Sequence, residues 1–157
     1  MRILKLFLDS PTQELYETQV RDRTKLAKAS ADKWLKELEK CGILSSRRQG
    51  QTNLYRLAPG ELTRLLKLIR TLDILQHKLP QTDCQIYLFG SAALGKDTEA
   101  SDIDILVIGS DRNIIGKIRK VDDRIKVSFF TPVEWSMAAR KDRTFYENVE
   151  KNKIRLV

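Results

Sequence analysis

Two aspartates that alternate along a predicted strand are the residues of this chain best suited to chemistry. Asp102 and Asp104 open the apolar run Asp102-Ile103-Asp104-Ile105-Leu106-Val107-Ile108. Because side chains alternate across a strand, both carboxylates project from one face while Ile103, Ile105 and Val107 fill the other. Adjacent carboxylates repel each other unless a cation lies between them. Mg²⁺ favours carboxylates combined with substrate phosphate oxygens, so the spacing predicts a magnesium site.

A Gly-Ser turn lies upstream of these aspartates. Residues 85–89 predict a short strand, and Gly90-Ser91 then opens a short helix. Backbone N–H groups at the start of a helix converge on one point and bind phosphate. The alternative interpretation, two exposed acids at a strand end, explains Asp102 and Asp104 but not the Gly-Ser turn before them.

The two motifs together resemble the signature of a known enzyme superfamily. Leu88-Phe89-Gly90-Ser91, followed by Ser101-Asp102-Ile103-Asp104-Ile105-Leu106-Val107, is similar to the signature of DNA polymerase β-like nucleotidyltransferases. The similarity is greatest to the minimal nucleotidyltransferases of bacteria and archaea. It spans residues 84–157 and implies a crossover helix over 111–123, a strand over 125–131 and a helix that opens at Pro132.

The resemblance also implies roles for individual residues. Gly90, Ser91 and Ser101 would bind the nucleotide, and Asp102 and Asp104 would be the catalytic ligands of Mg²⁺. The implied reaction transfers a nucleotidyl group, most often AMP, from a nucleoside triphosphate (NTP) to an acceptor hydroxyl and releases pyrophosphate.

Two positions depart from the family pattern. Lys126 occupies the position of the usual third carboxylate, and Leu94 stands where many relatives have arginine. A charged ammonium, with a reference pKa of about 10.4, neither ligates Mg²⁺ nor accepts a proton. Asp122 and Asp123 precede Lys126, and we do not expect either to substitute for the missing third carboxylate. Lys126 is therefore expected to pair with the aspartates, leaving either a degenerate enzyme that still binds Mg-NTP or an active transferase.

The first 58 residues predict a different module. The pattern indicates helices over 3–8, 14–24 and 28–41, then strands over 43–46 and 53–57. Ala31, Leu35 and Leu38 form a buried stripe on the third helix, and Gly42 ends that helix. Three helices followed by a basic β-hairpin resemble the winged helix-turn-helix domains of prokaryotic transcription regulators.

That resemblance implies a surface for double-stranded DNA. The third helix would enter the major groove, and residues of the hairpin tip, 47–52, would contact phosphates. The implied DNA contacts are Lys28, Ser30, Lys33, Lys36, Arg47 and Arg48. A solvated helix face and a dimerisation or protein-docking module are the alternatives.

Charge and composition agree with such a partner. The net charge is +8, and residues 1–60 carry 12 Lys/Arg against 7 Asp/Glu, a net +5. A dense positive charge favours a polyanionic partner.

No apolar stretch approaches about 18 residues, so no membrane span is expected. Cys41 and Cys84 have no metal-site or disulfide-framework spacing, and we expect a cytoplasmic protein.

The predicted architecture is α+β with three parts. Residues 1–58 are expected to form the winged helix-turn-helix, 59–80 an amphipathic linking helix, and 81–157 the polymerase β-like nucleotidyltransferase fold, a mixed sheet flanked by helices. The apolar face of the linking helix is a candidate homodimer contact. Three functions remain open. The first is a DNA-binding regulator with an NTP effector, and the second is a transferase that modifies a nucleic acid or a partner protein, as in toxin–antitoxin systems. The third is a protein-interaction scaffold that keeps both folds and neither activity.

Overall fold

The computed structural model describes residues 2–157, which form two units with separate cores. One unit ends at Lys67 and the other begins at Leu68. The boundary lies within helix α4, Glu61–Lys78. This helix is the one predicted before Pro80. Among residues 2–157, no helix combines the length and the apolar character needed to cross a lipid bilayer. The α+β fold class is confirmed.

The first unit has the winged helix-turn-helix arrangement. Its elements before α4 are α1 Arg2–Asp9, β1 Leu15–Tyr16, α2 Glu17–Thr24, α3 Lys28–Lys40, β2 Leu44–Gln49 and β3 Thr52–Leu57. The strands form an antiparallel sheet in the order β1-β3-β2. Ala31, Leu35 and Leu38 are buried, as the stripe on α3 predicts. Gly42 ends α3 with a φ of +72°.

Two details of this unit differ from the sequence-based expectation. The second helix begins at Glu17 rather than at residue 14, because Leu15 pairs with Tyr55 and adds a short strand to the sheet. The hairpin turn is also tighter than the predicted 47–52 tip. Arg47 and Arg48 belong to β2, and the turn is confined to the residues around Gly50, whose φ is +62°.

The second unit is built on a mixed sheet, as predicted, and this sheet has four strands. Its elements after α4 are β4 Gln85–Phe89, α5 Gly90–Ala93, β5 Ile103–Ile108, α6 Ile114–Arg119, β6 Ile125–Phe130, α7 Pro132–Lys141, α8 Arg143–Asn152 and β7 Ile154–Arg155. The strand order is β6-β5-β4-β7, with β5 and β6 parallel and the other pairs antiparallel. Helix α6 is shorter than the predicted 111–123, and β7 was not expected.

The two faces of this sheet carry different cores. Ile103, Ile105 and Val107 pack on one face with the apolar side of α4 and with α6, as the alternation predicted. Leu106 and Ile108 pack on the other face with residues of α7 and α8. Because Asp104 is two residues from Leu106, its carboxylate projects on the α7 and α8 side of the sheet.

Candidate functional sites

Gly90 and Asp104 are in close contact where β4 ends. Phe89 is the strand partner of Asp104, and Gly90 follows with a φ of +71°. A Cβ on residue 90 would lie 2.3 Å from Asp104 Oδ2. Only glycine therefore allows both this backbone conformation and the approach of the carboxylate.

Ser91 lies in the same turn, at the start of the single-turn helix α5. The Ser91 carbonyl accepts hydrogen bonds from the N–H groups of Leu94 at 3.1 Å and Lys96 at 2.9 Å. These bonds close the chain around the turn. Gly90, Ser91 and Asp104, which the sequence predicts as one site, are thus brought together.

Lys126 completes this cluster from the neighbouring strand. It is the strand partner of Asp104, and its Nζ lies 2.6 Å from Asp102 Oδ2. The structure therefore contains a salt bridge between the lysine and one of the two aspartates. Both partners are open to solvent, since the side chains of Lys126 and Asp102 are 69% and 46% exposed.

The charges of the cluster shift the pKa values of its members. Partial burial, with the nearby Asp102 charge, raises the pKa of Asp104, and Lys126 opposes this only in part. The hydrogen bond to Asp102 raises the pKa of Lys126 above its ordinary value. Lys126 therefore stays charged at neutral pH and cannot act as a base.

Two further predicted positions have structural partners. The Ser101 hydroxyl accepts a hydrogen bond from the Thr98 N–H at 2.8 Å, so it closes the turn before Asp102. The Asp122 carboxylate accepts two hydrogen bonds from the Arg124 side chain, each at 3.0 Å, and these lower the pKa of Asp122. Asp122 is thus engaged with Arg124 through an ion pair of its own.

The acidic residues fit one magnesium ion better than two. Asp102 and Asp104 offer carboxylate oxygens beside the turn at Gly90, and Mg²⁺ binds in proteins through one or two carboxylates plus phosphates. Within residues 2–157, no group of three acidic, histidine or cysteine side chains is placed to hold a metal. The donor set suits an ion that arrives with nucleotide phosphates, not a second ion held by three carboxylates.

The predicted DNA contacts on α3 are all accessible. The side chains of Lys28, Ser30, Lys33 and Lys36 are exposed, while the buried stripe of α3 faces the core. Three of these four residues are cationic. This surface could contact a polyanion without rearrangement of the helix.

Arg47 has an acidic partner that the sequence did not reveal. Its Nη2 lies 2.7 Å from Glu14 Oε2, and Arg56 lies 4.0 Å from the same carboxylate. Arg48 donates weakly, at 3.4 Å, to the Gly50 carbonyl. Glu14 precedes β1, so its proximity to the hairpin arises from the pairing of β1 with β3, which no local pattern indicated.

An apolar strip on α4 is open to solvent. Leu62, Leu65 and Ile69 are 46%, 51% and 60% exposed. Leu72 and Leu75, which lie farther along the same helix, pack into the core of the second unit. The strip is the part of the predicted apolar face that lacks cover among the described residues.

Several solved structures match this chain at low identity. The chain is 24% identical to reduced HlyU of Vibrio cholerae, over 46% of this chain and 76% of that one, with a TM-score of 0.41. It is 22% identical to a homodimeric winged helix-turn-helix DNA-binding domain of Mycobacterium bovis, over 52% and 72%, with a TM-score of 0.45. It is 20% identical to a candidate nucleotidyltransferase of Sulfolobus solfataricus, over 62% and 87%, with a TM-score of 0.38. A search among curated proteins gives no match.

The family comparison agrees with the second unit and covers just over half of the chain. Residues 68–155 match the family model described as a nucleotidyltransferase domain. The match begins where the second unit begins and includes Gly90, Ser91, Asp102 and Asp104. This chain therefore belongs to the nucleotidyltransferase domain family.

Proposed function

We propose that this chain is a DNA-binding regulator whose nucleotidyltransferase domain binds Mg-NTP as an effector and does not transfer a nucleotidyl group. The observation that carries the proposal is the Lys126 ammonium, 2.6 Å from Asp102 at the usual third-carboxylate position. The winged helix arrangement of the first unit supports the DNA-binding part.

Nucleotide binding would use the site residues that match the family pattern, which Lys126 does not. The turn at Gly90 and Ser91 would hold the phosphates, and Asp102 and Asp104 would hold the ion that accompanies them. Bound Mg²⁺ supplies positive charge that offsets the phosphate charge. Lys126 offers charge but no ligand oxygen and no base for an acceptor hydroxyl, so binding persists while transfer is lost.

DNA binding would use α3 and the wing. The lysines of α3 would face the major groove, and Arg47 and Arg48 would contact phosphates. In this proposal Mg-NTP is an effector, so its binding to the second unit would change the affinity of the chain for DNA. Unchanged affinity for a target DNA with and without Mg-NTP would contradict that coupling.

Homodimerisation would suit two DNA half-sites and would cover the strip formed by Leu62, Leu65 and Ile69. Sedimentation of the full chain over a wide concentration range tests this part. Dimers that dissociate in the Leu65→Glu variant would support it. A monomer at every concentration would contradict it.

The first experiment is calorimetry with ATP, GTP and CTP, with and without Mg²⁺, on the wild type and on Asp102→Asn/Asp104→Asn. Binding that requires Mg²⁺ and is lost in the double variant would support the proposal. Release of pyrophosphate is measured in the same samples, because turnover by the wild type would contradict the loss of transfer.

A salt titration tests the DNA interface. Neutralising Lys33, Lys36, Arg47 and Arg48 together is expected to weaken DNA binding and to reduce the dependence of the affinity on salt, since fewer counterions are released. Lys5→Gln, an exposed lysine of α1, is the control for loss of charge elsewhere. Equal affinity and salt slope in the quadruple variant would reject DNA binding through this surface.

An active transferase is the second candidate. It is favoured by the exposure of the Lys126–Asp102 pair, because exposed ion pairs contribute little and a metal could displace the lysine. The acceptor would be a nucleic acid or a protein, including a helical partner of toxin–antitoxin type. Labelling of an acceptor from α-labelled ATP, abolished by Asp104→Asn, would establish this function in place of the first.

A further inference from the structure

A cavity of about 360 Å³ opens in the second unit beside the edge strand β6. Its apolar lining is formed by Phe129, Phe130, Ala138 and Phe145, and its charged lining residues are Glu134, Lys141 and Asp142. The rings of Phe130 and Phe145 are 6.1 Å apart and tilted by 33°. Neither the phosphate turn nor the aspartates line this cavity.

Phe130, which lines the cavity, lies on the same face of the sheet as the carboxylates. Lys126 and Phe130 are four residues apart on β6, so their side chains share a face and are separated by about 13 Å. Phe145 also contacts Phe89, with ring centroids 5.9 Å apart, and Phe89 is the strand partner of Asp104. The separation is comparable with the extended length of a nucleoside triphosphate.

The charged lining residues offer both a hydrogen-bond acceptor and a donor. Asp142 Oδ1 accepts a hydrogen bond from the Phe145 N–H at 3.0 Å and so caps α8. This bond fixes the orientation of the carboxylate and therefore the direction of its second oxygen, Oδ2. Lys141 is exposed and provides an ammonium donor. An exocyclic amino group and a ring nitrogen, as on adenine, match this pair.

We propose that this cavity receives the base of the bound nucleotide and that it selects a purine with an exocyclic amine, such as adenine, over uracil. The inference rests on the proposed binding of nucleotide phosphates at Gly90 and Ser91. The base would stack on Phe130 and Phe145, because aromatic side chains bind the π-face of a base. Its amino group would donate to Asp142, and Lys141 would donate to a ring nitrogen.

The test compares three ligands with the full chain in the presence of Mg²⁺. Inorganic tripolyphosphate reports the phosphate turn alone, while ATP and UTP add a base. ATP is expected to bind about ten-fold more tightly than tripolyphosphate, the size of one stacked base. UTP is expected to bind close to tripolyphosphate, since a pyrimidine stacks over less area and uracil has no exocyclic amine.

Substitutions locate the effect. Ala138→Leu fills the cavity and is expected to lower ATP affinity to that of tripolyphosphate without changing the affinity for tripolyphosphate itself. Met137→Leu, a neighbouring exposed position on α7, is the matched control and should change neither. Because Ala138 is buried, its substitution could also disturb folding. Lys141 is exposed, so Lys141→Ala is a second variant, and we expect it to lose affinity for ATP but not for tripolyphosphate.

The outcomes separate the two levels of the proposal. Equal binding of ATP, UTP and tripolyphosphate, or an ATP preference that survives both Ala138→Leu and Lys141→Ala, would overturn the base site and leave the phosphate site standing. No binding of ATP or tripolyphosphate would overturn the nucleotide-binding function together with the base site.

Discussion

The Lys126 ammonium lies 2.6 Å from Asp102, although the strand partner of Lys126 is Asp104. The lysine thus reaches past its strand partner to the other carboxylate, whose side chain is 46% exposed. Asp104 remains against Gly90, where partial burial raises its pKa. The two aspartates have different surroundings: Asp102 is paired with a cation, and Asp104 lies against the turn at Gly90.

Restoring a carboxylate at position 126 is expected to restore a metal site. Lys126→Asp would replace the ammonium with a third ligand facing Asp102 and Asp104, and we expect Mn²⁺ or Mg²⁺ to bind roughly ten-fold more tightly without nucleotide. Calorimetric titration of the metal measures this. Lys120→Asp, the same charge change at an exposed position outside the cluster, controls for net charge, and an equal gain there would reject the interpretation.

A methyl group on Gly90 is expected to damage both the turn and ligand binding. Gly90→Ala places a Cβ 2.3 Å from Asp104 Oδ2 at a φ of +71°, and we expect a loss of more than about 1 kcal/mol of unfolding free energy. NTP binding should fall as well. Gly116→Ala is the matched control, because its Cβ would meet nothing within 4 Å. In a helix, that change should stabilise by roughly 0.5–1 kcal/mol. Similar effects of the two substitutions on unfolding would contradict this account.

Removing the Glu14 charge is expected to strengthen DNA binding. Glu14 accepts a hydrogen bond from Arg47, and this bond lowers the pKa of Glu14 and raises that of Arg47. A DNA phosphate must compete with this carboxylate for the guanidinium. Glu14→Gln should therefore raise DNA affinity and steepen its salt dependence, as measured by fluorescence anisotropy. Glu37→Gln, an exposed acid on α3, tests whether any loss of negative charge has the same effect.

Ionisation of Glu17 is expected to make the first unit less stable as pH rises. A hydrogen bond to Asp32, followed by burial, raises the pKa of Glu17 above the ordinary value of 4.5. A raised carboxyl pKa means that the folded state holds the proton more tightly than the unfolded chain does. This stability is present below pH 4.5 and is lost as pH rises through the folded pKa.

Glu17→Gln tests this pH dependence. The amide cannot ionise and can donate to Asp32, so the variant should be more stable than the wild type at neutral pH. Its stability should also change less above pH 4.5. Urea unfolding followed by circular dichroism between pH 4 and pH 8 measures both effects. A pH dependence identical to that of the wild type would contradict the assignment.

Much of each unit follows from local sequence pattern. The stripe on α3, the helix before Pro80 and the strands at residues 85–89 and 103–108 follow from side-chain periodicity, and the structure contains all of them. Periodicity predicts these elements because burial of an apolar face stabilises each one. The expected ends of α2 and α6 were less accurate, since hydrogen bonds to other elements determine where a helix stops.

The sequence predicted one site for Gly90, Ser91 and the two aspartates, and the structure places Gly90 against Asp104 because β4 and β5 pair there. The pairing of Glu14 with Arg47 and the cavity at Phe130 and Phe145 were not predicted from the sequence. Both join residues that are distant in sequence, and they depend on strand register and on the packing of α7 and α8.

Local pattern therefore establishes which elements form and which side chains could carry charge or ligate a cation. Tertiary structure establishes which of those charges meet. Sequence placed Lys126 near the aspartates, but only the register of β5 and β6 sets it opposite Asp104 and within 2.6 Å of Asp102. The reason is physical: propensity and amphipathic pattern act over a few residues, whereas ion pairs and cavities depend on distances that the folded chain alone creates.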